Sequence, residues 1–467
     1  MTKNNLIKNI VLILLYAIFA LIIILHHEIW EDEAQAWLVV RDLNLSGIFF
    51  HVRTEGHPLL WYILLTPFAK LHLPVLSMQI INWFFITLGA GLFLFKAPFN
   101  TLCKISVLSS SAFLYWYSAF ARSYCLIPLL IFAIAIFYKK QKEHPYIYVI
   151  LLTLLAHTHV VMLGFCAALT LIFMIKVLKD KKRKDYIIPI VVAILGLLAC
   201  AGYVYGSQNE NLIVKQNMPV FSWHKVIDVY ENTVFNVYGY ANKFFISVFS
   251  IFLLFTACVL FFKSKKLLFI FLTNTIFIFS IFIFVWNSLP QRAYLILIIP
   301  VFCLWIVYNE IKNQKLKIVL NILMSITFLI SLPNAWDMIK QDYKYPFSDG
   351  RNAAEFIKKN IPPDAFIVSN YPITTTPISA YLPKEKWKFF YTGYNDFYTY
   401  TIWTKNILPQ NTPIPLIDLL LKHKKVYVLM SHGNFYTDIE PLYSSNTNSM
   451  VYSERYKIYK FPVIIYK

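Results

Sequence analysis

Charge is what this chain has least of. Only 14% of its 467 residues are Asp, Glu, Lys or Arg, while 58% are hydrophobic and 18% aromatic. That balance excludes an ordinary soluble domain and predicts a bundle of membrane-spanning helices. Cysteine is sparse too. There are six, none in a CxxC pair and none in the polar tail that follows residue 340, so a disulfide framework and a thiolate metal site are both excluded. Each cysteine lies in or beside an apolar run and reads as a small packing residue. No P-loop, GxGxxG motif, internal repeat or heptad run is present. A small-residue cleavage site is also missing after the first apolar run, which leads straight into acids; that run is expected to stay as a span.

The charge that is present is uneven. A net charge of +19 invites a nucleic-acid reading, yet the lysines sit in short loops between apolar runs, where the positive-inside rule places them. No soluble basic face with interleaved aromatics is visible, so nucleic acid is not an expected partner. Apolar runs long enough to span lie near 9–26, 76–96, 104–120, 123–138, 146–160, 162–178, 186–205, 243–262, 267–285, 293–309 and 317–333. A twelfth run, Leu59 to Leu73, is short and holds Pro67 and Lys70. Leaving it out puts nineteen basic residues on one side and eight on the other before the tail. Counting it as a span would place every later basic cluster outside. It is therefore expected to lie in the outer interface, with Trp61 and Tyr62 at the headgroup level.

The resulting topology has about eleven spans, a cytoplasmic N-terminus and an outer tail. Residues 1–340 form the transmembrane part and 341–467 a small α/β domain. A helix is expected over Gly350 to Asn360, with strands over Ala365 to Val368, Lys425 to Met430 and Ile464 to Tyr466. The outer loop 206–242 is too long for a plain connection and should carry helices or function. All the polar clusters then share the outer side.

The densest of these is WEDEA, Trp30 to Ala34, in a loop that also holds His51, Glu55 and His57. Acids so close to a bilayer are costly and usually mark a site. Glu31, Asp32 and Glu33 raise one another's pKa, and any of them suits a general base that deprotonates an acceptor attacking an anomeric carbon. Arg122 and Arg292 each end a span on that side, and each has a tyrosine two residues on, Tyr124 and Tyr294. An arginine fork suits the oxygens of a phosphate leaving group. His157 and His159 sit at a turn and fit substrate hydrogen bonding, a turn role or, with His57 and Asp32, a divalent metal. No cofactor is required by the pattern. A second enzyme reading is a membrane glycan polymerase or ligase using a lipid pyrophosphate-linked chain. A lipid-linked sugar transporter or flippase would instead place ionisable groups at the midplane of a repeated architecture.

Five segments resemble those of GT-C membrane glycosyltransferases related to glycosyltransferase family 39, which includes protein O-mannosyltransferases and the aminoarabinose transferases of lipid A. They are WEDEA, GHPLLWYILL (Gly56 to Leu65), ARSYCLIPLL (Ala121 to Leu130), HTHVVMLGF (His157 to Phe165) and RAYLILIIP (Arg292 to Pro300). Leu59 replaces the family's second proline, and Phe120 stands where an acid often precedes Ala-Arg; that second departure weakens a metal role. The resemblance implies a GT-C fold with interfacial helices in the first outer loop and a polyprenyl-phosphate-linked sugar donor. It implies inversion at the anomeric carbon, with Asp32 as base and Glu33 as the next candidate. Arg122, Tyr124, Arg292, Tyr294 and His57 would bind the donor phosphate. The acceptor would be an envelope glycan, a lipid or a protein, with Glu31, His157 and His159 on its side or structural.

Overall fold

A computed structural model describes residues 3–205, 221–369, 371–383, 385–391, 396–403, 418, 422–423, 425–431, 440–445 and 448–461. The chain starts with α1 (Lys3–His26), apolar almost throughout. The first loop folds into three short helices, α2 (Glu31–Asp42), α3 (Leu45–Glu55) and α4 (Leu60–Lys70), before α5 (Leu76–Lys96) returns through the bundle. At 1.5 Å per residue, the eleven residues of α4 reach only about 16 Å, half of a hydrocarbon core. It does not cross. Trp61 and Tyr62 depart from expectation, since they are 3% and 5% exposed and face inward rather than toward headgroups. The cause is packing: α4 lies along α2 and turns that face into the contact.

Eight helical segments among the described residues are long and apolar enough to cross a membrane, and Ser123–Tyr138 and Pro145–Ala156 are shorter apolar helices. The expected span 104–120 is broken. It begins as α6 (Thr101–Leu108) and resumes as a π-turn, Ala112–Trp116. Serines fill the break: Ser110 Oγ returns to the backbone, donating to Val107 O at 2.7 Å, while Ser111 Oγ reaches out to Tyr294 Oη at 2.5 Å. Every residue of the helix Leu295–Val307 is buried, which makes it the hub of the bundle. The last apolar stretch divides into Gln314–Leu329 and Leu332–Lys344, with Pro333 in the first turn of the second, where a missing N–H costs nothing. That second helix runs through residue 340. The long loop supplies one helix, Trp223–Tyr238; residues 206–220 of it lie outside the described ones.

The two ends of the bundle differ chemically. At one end Lys8 donates to Thr101 at 2.6 Å, Lys139 pairs with Glu310 at 2.8 Å and Lys142 with Asp180 at 2.5 Å. The other end holds α2 to α4, Arg122, His159 and Arg292 together with the tail.

In the tail, β1 (Phe366–Ser369), β2 (Phe389–Tyr391), β3 (Asp396–Tyr398), β4 (Val426–Ser431), β5 (Tyr443–Ser444) and β6 (Tyr456–Lys460) form one mixed sheet in the order β3-β2-β1-β4-β6-β5. Strand β1 is parallel to β2 and β4, and the outer pairs are antiparallel. The helix Gly350–Asn360 and strands β1 and β4 fall where the sequence puts them; Ile464 to Tyr466 lie outside the described residues. An unforeseen helix, Pro372–Tyr381, rich in Thr and Pro, packs on α2 and on the helix Gly350–Asn360 and is tied to the sheet by Tyr456 Oη donating to Thr374 O at 2.7 Å. It crosses Gly350 so closely that a Cβ there would meet Pro377 at 2.5 Å. Arg41 of α2 donates to Ser379 O at 3.0 Å and Leu382 O at 3.1 Å, satisfying the carbonyls that this helix leaves open at its C-terminus.

Candidate active site

The acids of WEDEA are the first turn of α2, where the helix dipole favours negative charge. One turn of helix sends three carboxylates in three directions. Asp32 points to the open side, 40% exposed, and forms an ion pair with Arg122, which is 13% exposed. Burial by itself would lower the Arg122 pKa, but the Asp32 charge outweighs it and raises the guanidinium above its ordinary value.

Glu33 points the opposite way and is fully buried. One of its oxygens accepts from Trp30 N–H at 3.2 Å, a capping interaction, and the other from Ala121 N–H at 2.5 Å. It therefore ties the start of α2 to the residue beside Arg122. Behind it, His27 sits 3.6 Å from Glu33 and 2.6 Å from Asp342. Burial opposes charge on His27, yet Asp342 and Glu33 carry its pKa up to about 10, so a buried cation holds this brace together. Both oxygens of Glu33 are occupied, which leaves it poorly placed to take a substrate proton. Glu31 is raised to about 7 by burial and then by neighbouring Asp32.

The two Arg-x-Tyr elements interlock rather than act alike. Arg292 Nε donates to Tyr124 Oη at 3.0 Å and its NH1 to Asn287 O at 3.2 Å, with the guanidinium 5.1 Å from the Trp286 ring centre. Tyr124 Oη also meets His159 Nε2 at 3.0 Å, while His159 Nδ1 accepts from Val161 N–H at 3.2 Å. With Nδ1 used as acceptor, the network assigns the proton of the neutral ring to Nε2. Tyr124 Oη thus accepts twice, and its own hydrogen is left to donate. Burial, then the charges of Arg292, His57 and Arg122, keep His159 well below the ordinary histidine range.

His57 lies 6.0 Å from His159 and 6.3 Å from Trp286, ring centre to ring centre. Burial and Arg122 depress its pKa to about 4 and leave it neutral. Tyr294 does not join the group. Its hydroxyl is buried in the bundle, 2.5 Å from Ser111 Oγ and donating to Val237 O at 2.6 Å. His157 stays apart as well, its Nε2 3.1 Å from Gly196 O. The divalent metal that His57, His159 and Asp32 could share finds no suitable set, because no three metal-ligating side chains converge among the described residues.

Glu55 is the residue that sequence reasoning noticed in the loop and left without a role. It accepts from Gln35 at 2.7 Å, lies 3.1 Å from His51 and takes the Tyr62 hydroxyl on its other oxygen. Burial would raise its carboxyl, but His51, then His57 and Tyr62, outweigh that and bring it to about 2. A carboxyl depressed on folding adds stability that is present above its unfolded value near 4.3 and is lost as pH falls toward 2. Glu55→Gln keeps one acceptor oxygen for several donors and should cost about 1–3 kcal/mol at pH 7. Thermal melts in detergent should show the gap to wild type narrowing below pH 4.5; a gap constant down to pH 3 refutes the assignment. Trp286 and Asn287 were missed outright, although a Trp-Asn pair at the end of an apolar run, a few residues before Pro290-Gln291-Arg292, was a visible signal.

No protein-family profile matches the chain, and no curated protein matches it by sequence. Solved structures do match in fold. ArnT from Cupriavidus metallidurans, crystallised bound to undecaprenyl phosphate, is 9% identical with a TM-score of 0.56, over 98% of each chain. The same protein in its apo state gives 10% identity and a TM-score of 0.59 over 97% of each chain. The architecture defined by the broken bundle, the three-helix first loop and the tail sheet is thus a GT-C membrane fold. Within that class it is ArnT-like from the first helix to the tail.

Proposed function

We propose that this chain is an inverting glycosyltransferase that moves a sugar from a polyprenyl-phosphate donor to an acceptor on the outer face of the plasma membrane. The observation that carries the reading is the half-exposed Asp32 carboxylate paired with Arg122 at the bundle end that also holds Arg292, Tyr124 and His159. A fold shared with ArnT, which was crystallised with undecaprenyl phosphate, supports such a donor.

The acceptor's hydroxyl or amine gives its proton to Asp32 as it attacks the anomeric carbon. The C–O bond to the donor phosphate breaks on the opposite face, and negative charge collects on the departing oxygens. Arg292 and the free Tyr124 hydrogen are aimed at that charge, held in place before it forms by His159, Asn287 and Trp286. Glu33 serves as a positioning residue, since it fixes α2 against Ala121. Neutral His57 is a hydrogen-bonding group at the same mouth. A transporter reading gains less support, because the ionisable groups gather at one end of the bundle and not at mid-depth.

Mass spectrometry of a deletion strain tests the reaction. One polyprenyl-phosphate sugar should accumulate while one envelope glycan, lipid or protein loses that sugar; an unchanged donor pool ends the reading. Orientation has its own test. In a background lacking Cys258, Trp223→Cys should react with an impermeant maleimide from outside intact cells, and Lys181→Cys only after permeabilisation. The reverse pattern overturns the topology.

A further inference from the structure

The tail packs along α2, reaching Arg41 at one end, and three of its side chains, Tyr381, Thr376 and Glu454, reach Ile29 and Glu31 just before Asp32. An α-helix leaves its first N–H groups without internal partners, so something must cap them or the turn frays. Here the amides of the N-cap Trp30 and of Glu31, and that of Ile29 just before them, are all held by side chains. Ile29 N–H donates to Tyr381 Oη at 3.3 Å, Trp30 N–H to Glu33 at 3.2 Å and Glu31 N–H to Glu454 Oε1 at 2.8 Å. Two of these three caps come from the tail, more than 350 residues along the chain. Thr376, also in the tail, places its hydroxyl 3.2 Å from Glu31 O.

Glu454 is fully buried. Its burial, and the nearby carboxylates of Glu31 and Glu33, push its pKa well above the carboxylate range, so it faces its neighbours as an uncharged acid. An uncharged acid can cap an amide beside two other carboxyls, where an ionised one would be repelled. A solvated loop tip would not need such a group.

We propose that Glu454 is a positioning residue for Asp32, and that the tail domain through Glu454 and Tyr381 completes the active site by holding the first turn of α2. This rests on Asp32 being the base, as proposed above. Acting through the backbone of Glu31, Glu454 sets where the Asp32 carboxylate stands relative to Arg122 and leaves the phosphate-binding side untouched. Displacement of a reacting group by about 1 Å costs on the order of 100-fold in rate.

The test uses the full chain in nanodiscs, with Glu454→Ala and Glu454→Gln compared by turnover, undecaprenyl phosphate affinity and amide exchange. Glu454→Ala should lower kcat about 10- to 100-fold with undecaprenyl phosphate affinity within about twofold of wild type. Amides 29–33 should exchange at least about 10-fold faster, while β4 and β6 keep their protection. Glu454→Gln, which keeps the uncharged accepting oxygen, should restore both turnover and protection. Wild-type turnover in Glu454→Ala, no rescue by Gln, or deprotection spread through the sheet each overturns the proposal. Should the wild-type protein show no transfer at all, the glycosyltransferase reading fails instead, and the exchange data still decide whether the clamp exists.

Discussion

Asp32→Asn should reduce glycosyl transfer about 1,000-fold, within the range that a positioned general base supplies. The amide keeps the size of the side chain in the first turn of α2, where the capping is done by Glu33, so insertion and folding should be unaffected. What is lost is the one carboxylate at the mouth that is both exposed and aimed at Arg122. Undecaprenyl phosphate should bind as well or more tightly, because Arg122 is released from its ion pair and becomes free to meet a phosphate. Turnover and lipid binding by purified wild-type and variant protein decide it. Near-wild-type turnover in Asp32→Asn removes Asp32 from the mechanism, and a parallel loss of lipid affinity makes it a binding residue instead. Glu33→Gln should behave differently, since Glu33 is buried against Trp30, Ala121 and His27. Its variant should lose stability along with activity.

The second large effect is at Arg292. Its Nε is fixed by Tyr124 and one terminal nitrogen by Asn287 O, which leaves the rest of the fork for an anion beside the Trp286 ring. Removing a donor of that kind from a preorganised site costs about 100- to 1,000-fold in kcat. Arg292→Ala should show such a loss together with weaker undecaprenyl phosphate binding. Arg292→Lys should recover little, because an ammonium cannot hold Tyr124 and Asn287 and still present a planar face to phosphate. Full rescue by lysine would mean that charge alone matters at this position and that the relay through Tyr124 and His159 is incidental.

Much of this was legible before any coordinates. The short run around Leu60–Lys70 was assigned to the interface from its length, Pro67 and the distribution of basic residues, and α4 is too short to cross. The same parity placed WEDEA, Arg122, His159 and Arg292 at one end, and they do meet there. The helix at Gly350–Asn360 was marked by its own pattern and by the prolines after it. Less local elements escaped notice. Strands as short as β2 and β5, with three and two residues, carry too little pattern to stand out. The helix Pro372–Tyr381 holds against its poor propensity because α2 and the helix Gly350–Asn360 pack against it.

The choice among neighbouring side chains was a different matter. Glu31, Asp32 and Glu33 are adjacent and chemically alike, yet one helical turn rotates successive residues by about 100° and sends only Asp32 toward Arg122. Arg122-Ser-Tyr124 and Arg292-Ala-Tyr294 are the same pattern twice, but Arg292 takes the first tyrosine as its partner, and Tyr294 turns into the bundle toward Ser111 and Val237. By itself the sequence determined that the chain is a bundle of apolar helices, that the run at Leu60–Lys70 is too short to be one of the long ones, and which end gathers the acids and arginines. Transfer of apolar surface and the bias of positive charge act segment by segment, and both can be summed along a chain. Only the tertiary structure decided which carboxylate is open, which tyrosine is shared and that the tail caps α2. Those outcomes depend on contacts between residues hundreds of positions apart, whose geometry no local pattern encodes.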